Sequence, residues 1–402
     1  MTGITKHASA PLSADAPAER ADREHPAADH RLAGVPEWIA ARVPNWIADG
    51  VDEAALLAAL RGLPPGQSPG SPGWVGHFSA IGAAQARVGE TAEATGDTSG
   101  AKEGYLNAAF YAFLARFPHF IAPDAAPARA AYHAHQAAYL KAARYFDPPL
   151  QVVRLPFEGG AIVGYLRIPT IPAAALPPVV VLSGGIDYWK SDSELHTISE
   201  ALLGAGLATF AMDMPGTGES PLANGPAAER VYNAAIAHLN GRTDVAGDRL
   251  GVYGLSFGGH WAVKLALTNP RVRAAVNVSG PIHHAFTPEW CAGIAPGTLA
   301  TLAATLGHGL ADLGGPAGLA RTLAPLSLVE QGVLRPRSDR PALLSIAGGH
   351  DEAVPLADLR VITDAGVDQD TLIFADDRHV ASGHRALHLP FAARWLQAHL
   401  QP

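Results

Sequence analysis

Short apolar runs alternate with amphipathic stretches through the second half of the chain, and this alternation predicts its secondary structure. Six runs are apolar on both faces, namely VVVLSG, LATFAMD, RLGVYGL, RAAVNVSG, ALLSIAGG and TLIFAD. Runs of this kind are typical of parallel strands that helices cover on both sides. The stretches between them, such as SELHTISEALLGAG and GGHWAVKLALTN, have helical spacing. Two further strands, LQVVRLPFEGG and AIVGYLRIP, precede these runs around a Glu-Gly-Gly turn. The order predicts an α/β fold, a doubly wound and mostly parallel sheet that begins with an antiparallel hairpin.

The same pattern divides the chain into three parts. Residues 1–35 are rich in Ala, Pro, Asp, Arg and His without apolar periodicity, and they predict a disordered or loosely docked tail. Residues 36–148 predict helices, with Asp52 as the N-cap of one of them, and this segment could stand alone or cover its neighbour. Residues 149–402 predict the domain built on the sheet. Within it, residues 284–338 are too long for a simple connection and predict a helical insertion.

Composition narrows the class of protein. With 402 residues, 48% of them hydrophobic and 16% charged, the chain can bury a large core, which excludes a disordered protein. The net charge of −8 argues against a surface for nucleic acid or for anionic membranes. No apolar run approaches the roughly 20 residues of a membrane helix. The single cysteine, Cys291, cannot form an internal disulfide, and we expect a cytoplasmic protein.

The motif that carries chemistry is Gly254-Leu255-Ser256-Phe257-Gly258, which matches G-x-S-x-G. It directly follows the strand RLGVYGL and opens the helix GGHWAVKLAL. In that context the serine occupies a tight strand-to-helix turn, and its hydroxyl is presented above the carboxyl edge of the sheet. The helix amino terminus behind it favours negative charge. The motif therefore predicts Ser256 as a nucleophile.

A nucleophilic serine needs a base and an acid, which in this architecture follow it along the chain. The strand ALLSIAGG runs into His350-Asp351-Glu352, where Asp351 is our predicted acid and Glu352 the alternative. The last strand runs into a loop that contains His379, our predicted base, whereas the competing His384 begins the closing helix.

Negative charge on the reacting oxygen needs hydrogen-bond donors. We predict backbone N–H groups of Phe257, which follows the nucleophile, and of Ile186 or Gly185, in a glycine turn after an earlier strand. The turn Asp213-Met214-Pro215-Gly216-Thr217-Gly218-Glu219-Ser220 receives only a structural interpretation. His283-His284 lacks the spacing of a metal site, and no dinucleotide or phosphate-binding loop follows the first strand, so we predict neither metal nor cofactor.

The sequence around these motifs resembles the α/β hydrolases of the FrsA-like type, a family that includes 2,6-dihydroxypseudooxynicotine hydrolase and polyketide-shortening hydrolases. The similarity covers roughly residues 100–402, through SGGIDYWKSD, MDMPGTGES, GLSFGGHWAVKLA, VSGPIHHAF, GGHDEAVP and DDRHVASGH. The resemblance implies an α/β-hydrolase fold, with residues 36–148 as a helical lid domain over the site. It also implies the roles given above to Ser256, Asp351 and His379, and a homodimer.

We therefore expect a serine esterase that acts through an acyl-enzyme on a medium-sized, aromatic or polyketide-like small molecule. Tyr188, Trp189 and Glu289 are candidate pocket residues; the two aromatic residues could equally belong to the core, and Glu289 to the surface. The alternatives are a hydrolase of carbon–carbon bonds in a β-diketone or acylphenol, an acyltransferase, and a binding or regulatory protein without turnover.

Overall fold

The computed structural model describes residues 35, 37–40, 42–119, 125–170 and 176–401. Almost all of the predicted tail, residues 1–34, lies outside the described residues. The boundaries drawn at residues 35 and 148 stay predictions.

The strands form a single mixed sheet. They are β1 (Leu150–Phe157), β2 (Gly160–Arg167), β3 (Pro178–Ser183), β4 (Ala208–Met212), β5 (Ala246–Leu255), β6 (Val272–Val278), β7 (Ala342–Gly348) and β8 (Asp370–Phe374). Their order is β1-β2-β4-β3-β5-β6-β7-β8. The pairs β1–β2 and β2–β4 are antiparallel, and the pairs from β4 to β8 are parallel. The predicted α/β sheet with an antiparallel start is confirmed.

Helices precede the sheet and cover it. The N-terminal helices are α1 (Glu37–Ala40), α2 (Val43–Ala48), α3 (Glu53–Arg61), α4 (Pro72–Ala94), α5 (Thr98–Arg116) and α6 (Ala126–Ala142). The next helices are α7 (Ser193–Gly204), α8 (Glu229–Asn240) and α9 (Phe257–Thr268). Between β6 and β7 lie α10 (Pro288–Cys291), α11 (Pro296–Thr305) and α12 (Gly315–Leu323), and α13 (Ala357–Asp364) and α14 (Arg385–His399) follow. Short 3₁₀ turns occupy Ala143–Tyr145, His284–Phe286, Ala324–Leu326 and His379–His384. The predicted cap is present, because the Asp52 carboxylate accepts a hydrogen bond from the Ala55 N–H at the start of α3.

Successive residues of the central strands point into two separate cores. Val180 and Leu182 of β3 pack in the core that contains α7, α14 and the N-terminal helices. Val179 and Val181 pack in the core that contains α8, α9 and the helices between β6 and β7. Because strand side chains alternate between faces, both faces must be apolar, which explains the continuous apolar runs. The N-terminal helices and the helices between β6 and β7 therefore lie on opposite faces of the sheet.

Within the described residues, no helix is both long enough and apolar enough to span a lipid bilayer.

Candidate active site

Ser256 occupies a strained turn between β5 and α9. Its backbone φ is 53° and its ψ is −126°, a conformation that L-residues seldom adopt and that recurs at functional sites. The Ser256 N–H donates to the Val278 carbonyl at 2.8 Å, which ties the turn to β6. A β-carbon at Gly258 would lie 2.4 Å from the Ser183 carbonyl oxygen, so the first turn of α9 requires glycine there. The turn exposes the serine hydroxyl at the carboxyl ends of β3, β5 and β6.

The three side chains that the sequence analysis assigned to nucleophile, base and acid lie together. His379 Nε2 lies 2.9 Å from Ser256 Oγ. The other ring nitrogen, Nδ1, lies 2.9 Å from both carboxylate oxygens of Asp351. These hydrogen bonds form a continuous chain from the Ser256 hydroxyl to the Asp351 carboxylate. With Nδ1–H donating to Asp351, Nε2 has a free lone pair for the serine proton.

Backbone groups and a second serine hold the Asp351 carboxylate. The N–H groups of Ala353 and Val354 donate to its Oδ1 at 2.9 and 2.8 Å. Burial acts to raise the pKa of Asp351, but the charge and hydrogen bond of His379, with hydrogen bonds from Val354 and Ser279, outweigh it and lower the pKa. The carboxylate is therefore ionised at neutral pH.

The pKa of the His379 imidazole is shifted in the opposite direction. Burial disfavours its charged form, but the neighbouring Asp351 carboxylate outweighs this and raises the pKa above that of an ordinary histidine. The Glu352 carboxylate adds to the rise, and the Arg42 guanidinium opposes it. His379 is 22% exposed, so the ring can be reached from the solvent side.

The alternative acid and base have other partners. The Glu352 carboxylate pairs with Arg378 at 2.8 Å on the surface. His384 Nδ1 lies 2.8 Å from Asp377 Oδ2, at the start of α14. Neither side chain joins the hydrogen-bonded chain to the serine.

The residues predicted to donate to an oxyanion lie beside Ser256. A β-carbon at Gly185 would lie 2.8 Å from Ser256 Cβ, so the loop after β3 passes directly against the serine. Ile186, in the same loop, and Phe257, the first residue of α9, line a pocket together with Ser256.

This pocket is almost wholly apolar. It encloses about 420 Å³, including its open mouth. The segment between β6 and β7 contributes Ile294, Thr298, Leu302 and Leu323 to one wall, and Ala353 and Val354 lie beside Asp351 on the other. A pocket with this lining accommodates an uncharged group next to the serine hydroxyl.

The structure does not bring Tyr188, Trp189 and Glu289 into this pocket. Tyr188 is buried beneath α2 and accepts a 2.6 Å hydrogen bond from the Trp46 indole. Trp189 is fully buried with the Arg116 guanidinium 3.7 Å above its ring. Both aromatic residues therefore belong to the contact between the N-terminal helices and the sheet, which was the alternative interpretation. Glu289 is exposed on α10.

Two residues near the site were not predicted from the sequence. Ser279, after β6, hydrogen-bonds the Asp351 carboxylate and accepts from the Val380 N–H at 3.1 Å. Arg42, before α2, donates to the Asp187 carboxylate at 2.9 Å, and Asp187 follows the predicted oxyanion residues. No sequence signal marks either residue, since both act across long separations in the chain.

The adjacent histidines have ordinary structural contacts. His283 Nδ1 lies 2.7 Å from the Ser327 hydroxyl, and three successive N–H groups, of Ile282, His283 and His284, donate to the Asp358 carboxylate. In the part of the chain that the structure describes, no cluster of three or more His, Cys, Asp or Glu side chains could hold a metal ion.

A mostly parallel sheet with an antiparallel start, and a serine on a strained turn between its central strand and the next helix, define an α/β hydrolase. The model of a family described as esterase FrsA-like matches residues 73–401. The chain belongs to the FrsA-like esterase family.

Individual relatives agree with this assignment. The chain is 25% identical to esterase FrsA of Photobacterium profundum over 330 residues, which cover 77% of this chain and 76% of that protein. It is 32% identical to 2,6-dihydropseudooxynicotine hydrolase of Paenarthrobacter nicotinovorans over 144 residues, 35% of this chain and 38% of that protein. The crystal structure of 2,6-dihydroxy-pseudo-oxynicotine hydrolase superposes with a TM-score of 0.74 at 24% identity, over 89% of this chain and 95% of the other. This superposition supports the fold, and the family resemblance predicted from the sequence is confirmed.

Proposed function

We propose that the protein is a serine esterase in which Ser256 is the nucleophile, His379 the general base and Asp351 the acid that orients it. The observation that carries the proposal is the unbroken hydrogen-bonded chain of these side chains, with 2.9 Å at both links. The positive φ of Ser256 supports it further, because backbone strain at a nucleophile presents its hydroxyl to a substrate.

The proposed reaction has two stages. Ser256 Oγ attacks the ester carbonyl carbon while its proton passes to His379 Nε2, and the bond from that carbon to the alcohol oxygen then breaks. The alcohol leaves with the proton from His379, and an acyl group remains on Ser256. Water then attacks the acyl-enzyme, with His379 taking its proton and returning it to Ser256 Oγ as the carboxylic acid departs. Throughout, Asp351 holds the imidazole tautomer whose Nε2 is free.

Charge on the carbonyl oxygen develops in both stages. We assign its stabilisation to the backbone N–H groups of Phe257 and Ile186, with Gly185 as the alternative to Ile186. Each donor of this kind contributes about 3 kcal/mol to the transition state. The contact of the loop with the serine supports this assignment, since a β-carbon at Gly185 would lie 3.1 Å from Ser256 Oγ.

The pocket beside Ser256 favours an apolar acyl group. Binding of such a group would be favourable because it removes apolar surface from water, including that of Leu302, Leu323, Ile294 and Phe257. A charged group would lose its hydration there. With this lining, we propose as substrate a carboxylic ester of a medium-sized, aromatic or polyketide-like compound.

Covalent labelling tests the proposal directly. A fluorophosphonate should modify the purified protein at Ser256, as located by mass spectrometry, and the Ser256→Ala variant should be neither labelled nor active. Ser220→Ala is the matched control, because Ser220 lies in the turn after β4 and its hydroxyl contacts the Leu222 carbonyl. A folded wild-type protein that stays unlabelled would contradict the proposal and favour a binding protein.

Substrate comparison separates the reaction classes. We expect turnover of nitrophenyl esters but not of a 1,3-diketone, because the described pocket supports acyl attack without a further acid near the serine. Turnover of the diketone would instead assign carbon–carbon bond hydrolysis. Transfer of the acyl group to an added alcohol, in preference to water, would assign an acyltransferase.

A further inference from the structure

The loop of residues 184–192, called here the oxyanion loop, depends on side chains for its position. It joins β3 to α7 without regular secondary structure. Among the described residues, no acceptor receives a hydrogen bond from the N–H of Gly185 or Ile186. These N–H groups can stabilise an oxyanion only if the loop stays at a constant distance from Ser256, because reacting geometries tolerate little displacement.

Arg116, the last residue of α5, reaches into this loop from the N-terminal helices. Its Nη1 donates to the Asp187 carbonyl oxygen at 3.1 Å, and its Nη2 pairs with the Asp192 carboxylate. Its guanidinium lies 3.7 Å above the Trp189 ring. One side chain therefore contacts the loop at three points.

The contact is closed to solvent. The side chains of Arg116 and Asp192 are both 0% exposed. The same Asp192 carboxylate accepts the Trp189 N–H at 2.6 Å, which folds the loop end into a turn. His135 lies 3.3 Å from Asp192, but burial lowers its pKa to about 3, so it carries no charge at neutral pH. Burial raises the pKa of the Asp192 carboxyl to about 6, and the charge of Arg116 opposes this rise, so Arg116 is the cation that favours the ionised carboxylate.

Two further contacts hold the loop on either side of Arg116. Arg42, which directly precedes α2, donates to the Asp187 carboxylate at 2.9 Å. On the sheet side, the backbone N–H and the ammonium group of Lys190 both donate to the Asp213 carboxylate, at 2.8 and 2.5 Å. Asp213 opens the turn after β4 for which the sequence suggested only a structural role. The oxyanion loop is thus held between that turn and the N-terminal helices.

We propose that Arg116 is a positioning residue for catalysis, through which the N-terminal helices keep the oxyanion loop against Ser256. The N-terminal helices would then complete the hydrogen-bond geometry of the site. This inference rests on the proposed esterase function. Arg116 touches neither the serine nor the pocket, so its effect on the reaction passes entirely through the loop.

The test is steady-state hydrolysis of a nitrophenyl ester by Arg116→Met, with active sites counted by fluorophosphonate. A displaced loop weakens transition-state stabilisation, whereas most of the pocket lining comes from other segments and only Ile186 moves with the loop. We expect kcat per active site to fall about 100-fold, with KM changed by less than about threefold. Affinity for phenylboronic acid, which forms a tetrahedral adduct on serine, should fall in parallel with kcat/KM. Arg116→Lys should recover part of kcat, since one ammonium group can reach only part of the contact.

The matched control is Arg167→Met. Like Arg116, Arg167 is buried and makes three kinds of contact. It donates to the Pro148 carbonyl, pairs with the Glu200 carboxylate and lies over the Phe146 ring. These partners all lie outside the oxyanion loop. This variant should lose stability as Arg116→Met does, but its kcat per active site should stay within about twofold of the wild type.

Three results would overturn the inference. The first is a kcat per active site in Arg116→Met within about twofold of the wild type. The second is an equal loss in Arg167→Met. The third is a wild-type protein that is neither labelled nor active, and this result would contradict the proposed function as well. In the first two cases, labelling of the wild-type protein at Ser256 would still support the proposed function. If Arg116→Met does not fold, Arg116→Lys decides by the same criteria.

Discussion

Ser279 shows how a single residue outside the G-x-S-x-G motif can organise the site. It follows β6 with a φ of 51°, and its hydroxyl both hydrogen-bonds Asp351 and accepts the Val380 N–H. Val380 directly follows His379, so this one hydroxyl connects the loop that contains Asp351 to the loop that contains His379. In the sequence it is only a serine before a glycine at the end of a strand, which is typical of any turn.

The protonation of His379 leads to a prediction at the same scale. We expect kcat/KM for ester hydrolysis to fall as the pH drops through the pKa of His379, because only the neutral imidazole accepts the serine proton. Asp351 raises this pKa, so the fall begins at a higher pH than for an ordinary histidine. Asp351→Asn should move the acid limb of the profile to lower pH and lower kcat by about 10⁴-fold. A pH–rate profile of both proteins measures this.

The control for this prediction is His384→Ala. His384 pairs with Asp377 outside the hydrogen-bonded chain, so its removal should leave kcat within about threefold of the wild type. His379→Ala should abolish turnover. Full activity in His379→Ala, or an acid limb that Asp351→Asn does not move, would contradict the assignment of the base.

At the residue scale, the sequence predicted the members of the hydrogen-bonded chain because each follows a recognisable strand. It did not separate pocket from core for Tyr188 and Trp189, since a large aromatic residue after a glycine turn suits either place. Their burial is decided by Trp46 and Arg116, which lie more than 70 residues earlier in the chain.

At the scale of elements, the turn from β5 into α9 is held by close backbone contacts. Gly258→Ala would bring a β-carbon to 2.4 Å from the Ser183 carbonyl oxygen, which belongs to the backbone of β3. Backbone cannot move aside as a flexible side chain does, so β3 or α9 must shift. We expect the free energy of unfolding to fall by about 1–3 kcal/mol, as for an overpacked core, together with a loss of turnover. Urea denaturation followed by circular dichroism measures the first effect.

Gly204→Ala is the control for that substitution. Gly204 is the last residue of α7, and a β-carbon there would meet nothing within 4 Å. Its replacement should leave stability unchanged or raise it by about 0.4–1 kcal/mol, since alanine restricts the unfolded chain. A Gly258→Ala protein as stable and active as Gly204→Ala would show that the close approach of α9 to β3 is unimportant.

The strands and helices could be predicted because the periodicity of apolar residues and the length of each apolar run are local properties of the sequence. Continuous apolar runs predicted strands covered on both faces, and the two observed cores explain why both faces are apolar. The sequence did not predict that β4 lies between β2 and β3. That order depends on which strand edges pair across the sheet, and no local pattern records it.

At the scale of the whole molecule, the N-terminal helices and the sheet share one hydrophobic core. Trp46 of α2 is fully buried against the rings of Phe110, Phe113 and Phe117, at centroid distances of 5.9 to 6.3 Å, and donates to the Tyr188 hydroxyl. Elsewhere in the same contact, Arg385 of α14 pairs with Asp49, after α2, and with Glu194 of α7. A contact of this kind couples the two parts of the chain energetically.

We therefore expect the N-terminal helices and the sheet to unfold in a single transition. Trp46→Ala should lower the free energy of unfolding by about 3–5 kcal/mol, because it leaves a cavity where the two parts meet. Urea denaturation followed by both tryptophan fluorescence and circular dichroism tests this, and the two curves should coincide for the wild type.

Tyr188→Phe is the matched control for the cavity. It removes only the hydroxyl that accepts the Trp46 hydrogen bond, and it should lower the free energy of unfolding by about 1–3 kcal/mol because the indole N–H stays buried without a partner. Separate transitions in the wild type, or a smaller loss in Trp46→Ala than in Tyr188→Phe, would contradict a shared core. The homodimer and the cytoplasmic location stay predictions at this scale.

The sequence by itself determined the class of fold, the order of strands and helices along the chain, and the candidate nucleophile, acid and base. It could do so because periodicity and the G-x-S-x-G turn are local, and because the carboxyl ends of parallel strands meet at one edge of a sheet. Only the tertiary structure decided that Ser279 connects the loops that contain Asp351 and His379. The same is true of the burial of Tyr188 and Trp189 in the core. The tertiary structure also decided that Arg116 of α5 and Arg42, just before α2, contact the loop of residues 184–192. These contacts join residues that are far apart in the chain, and their free energy comes from burial and charge pairing that exist only after the chain has folded.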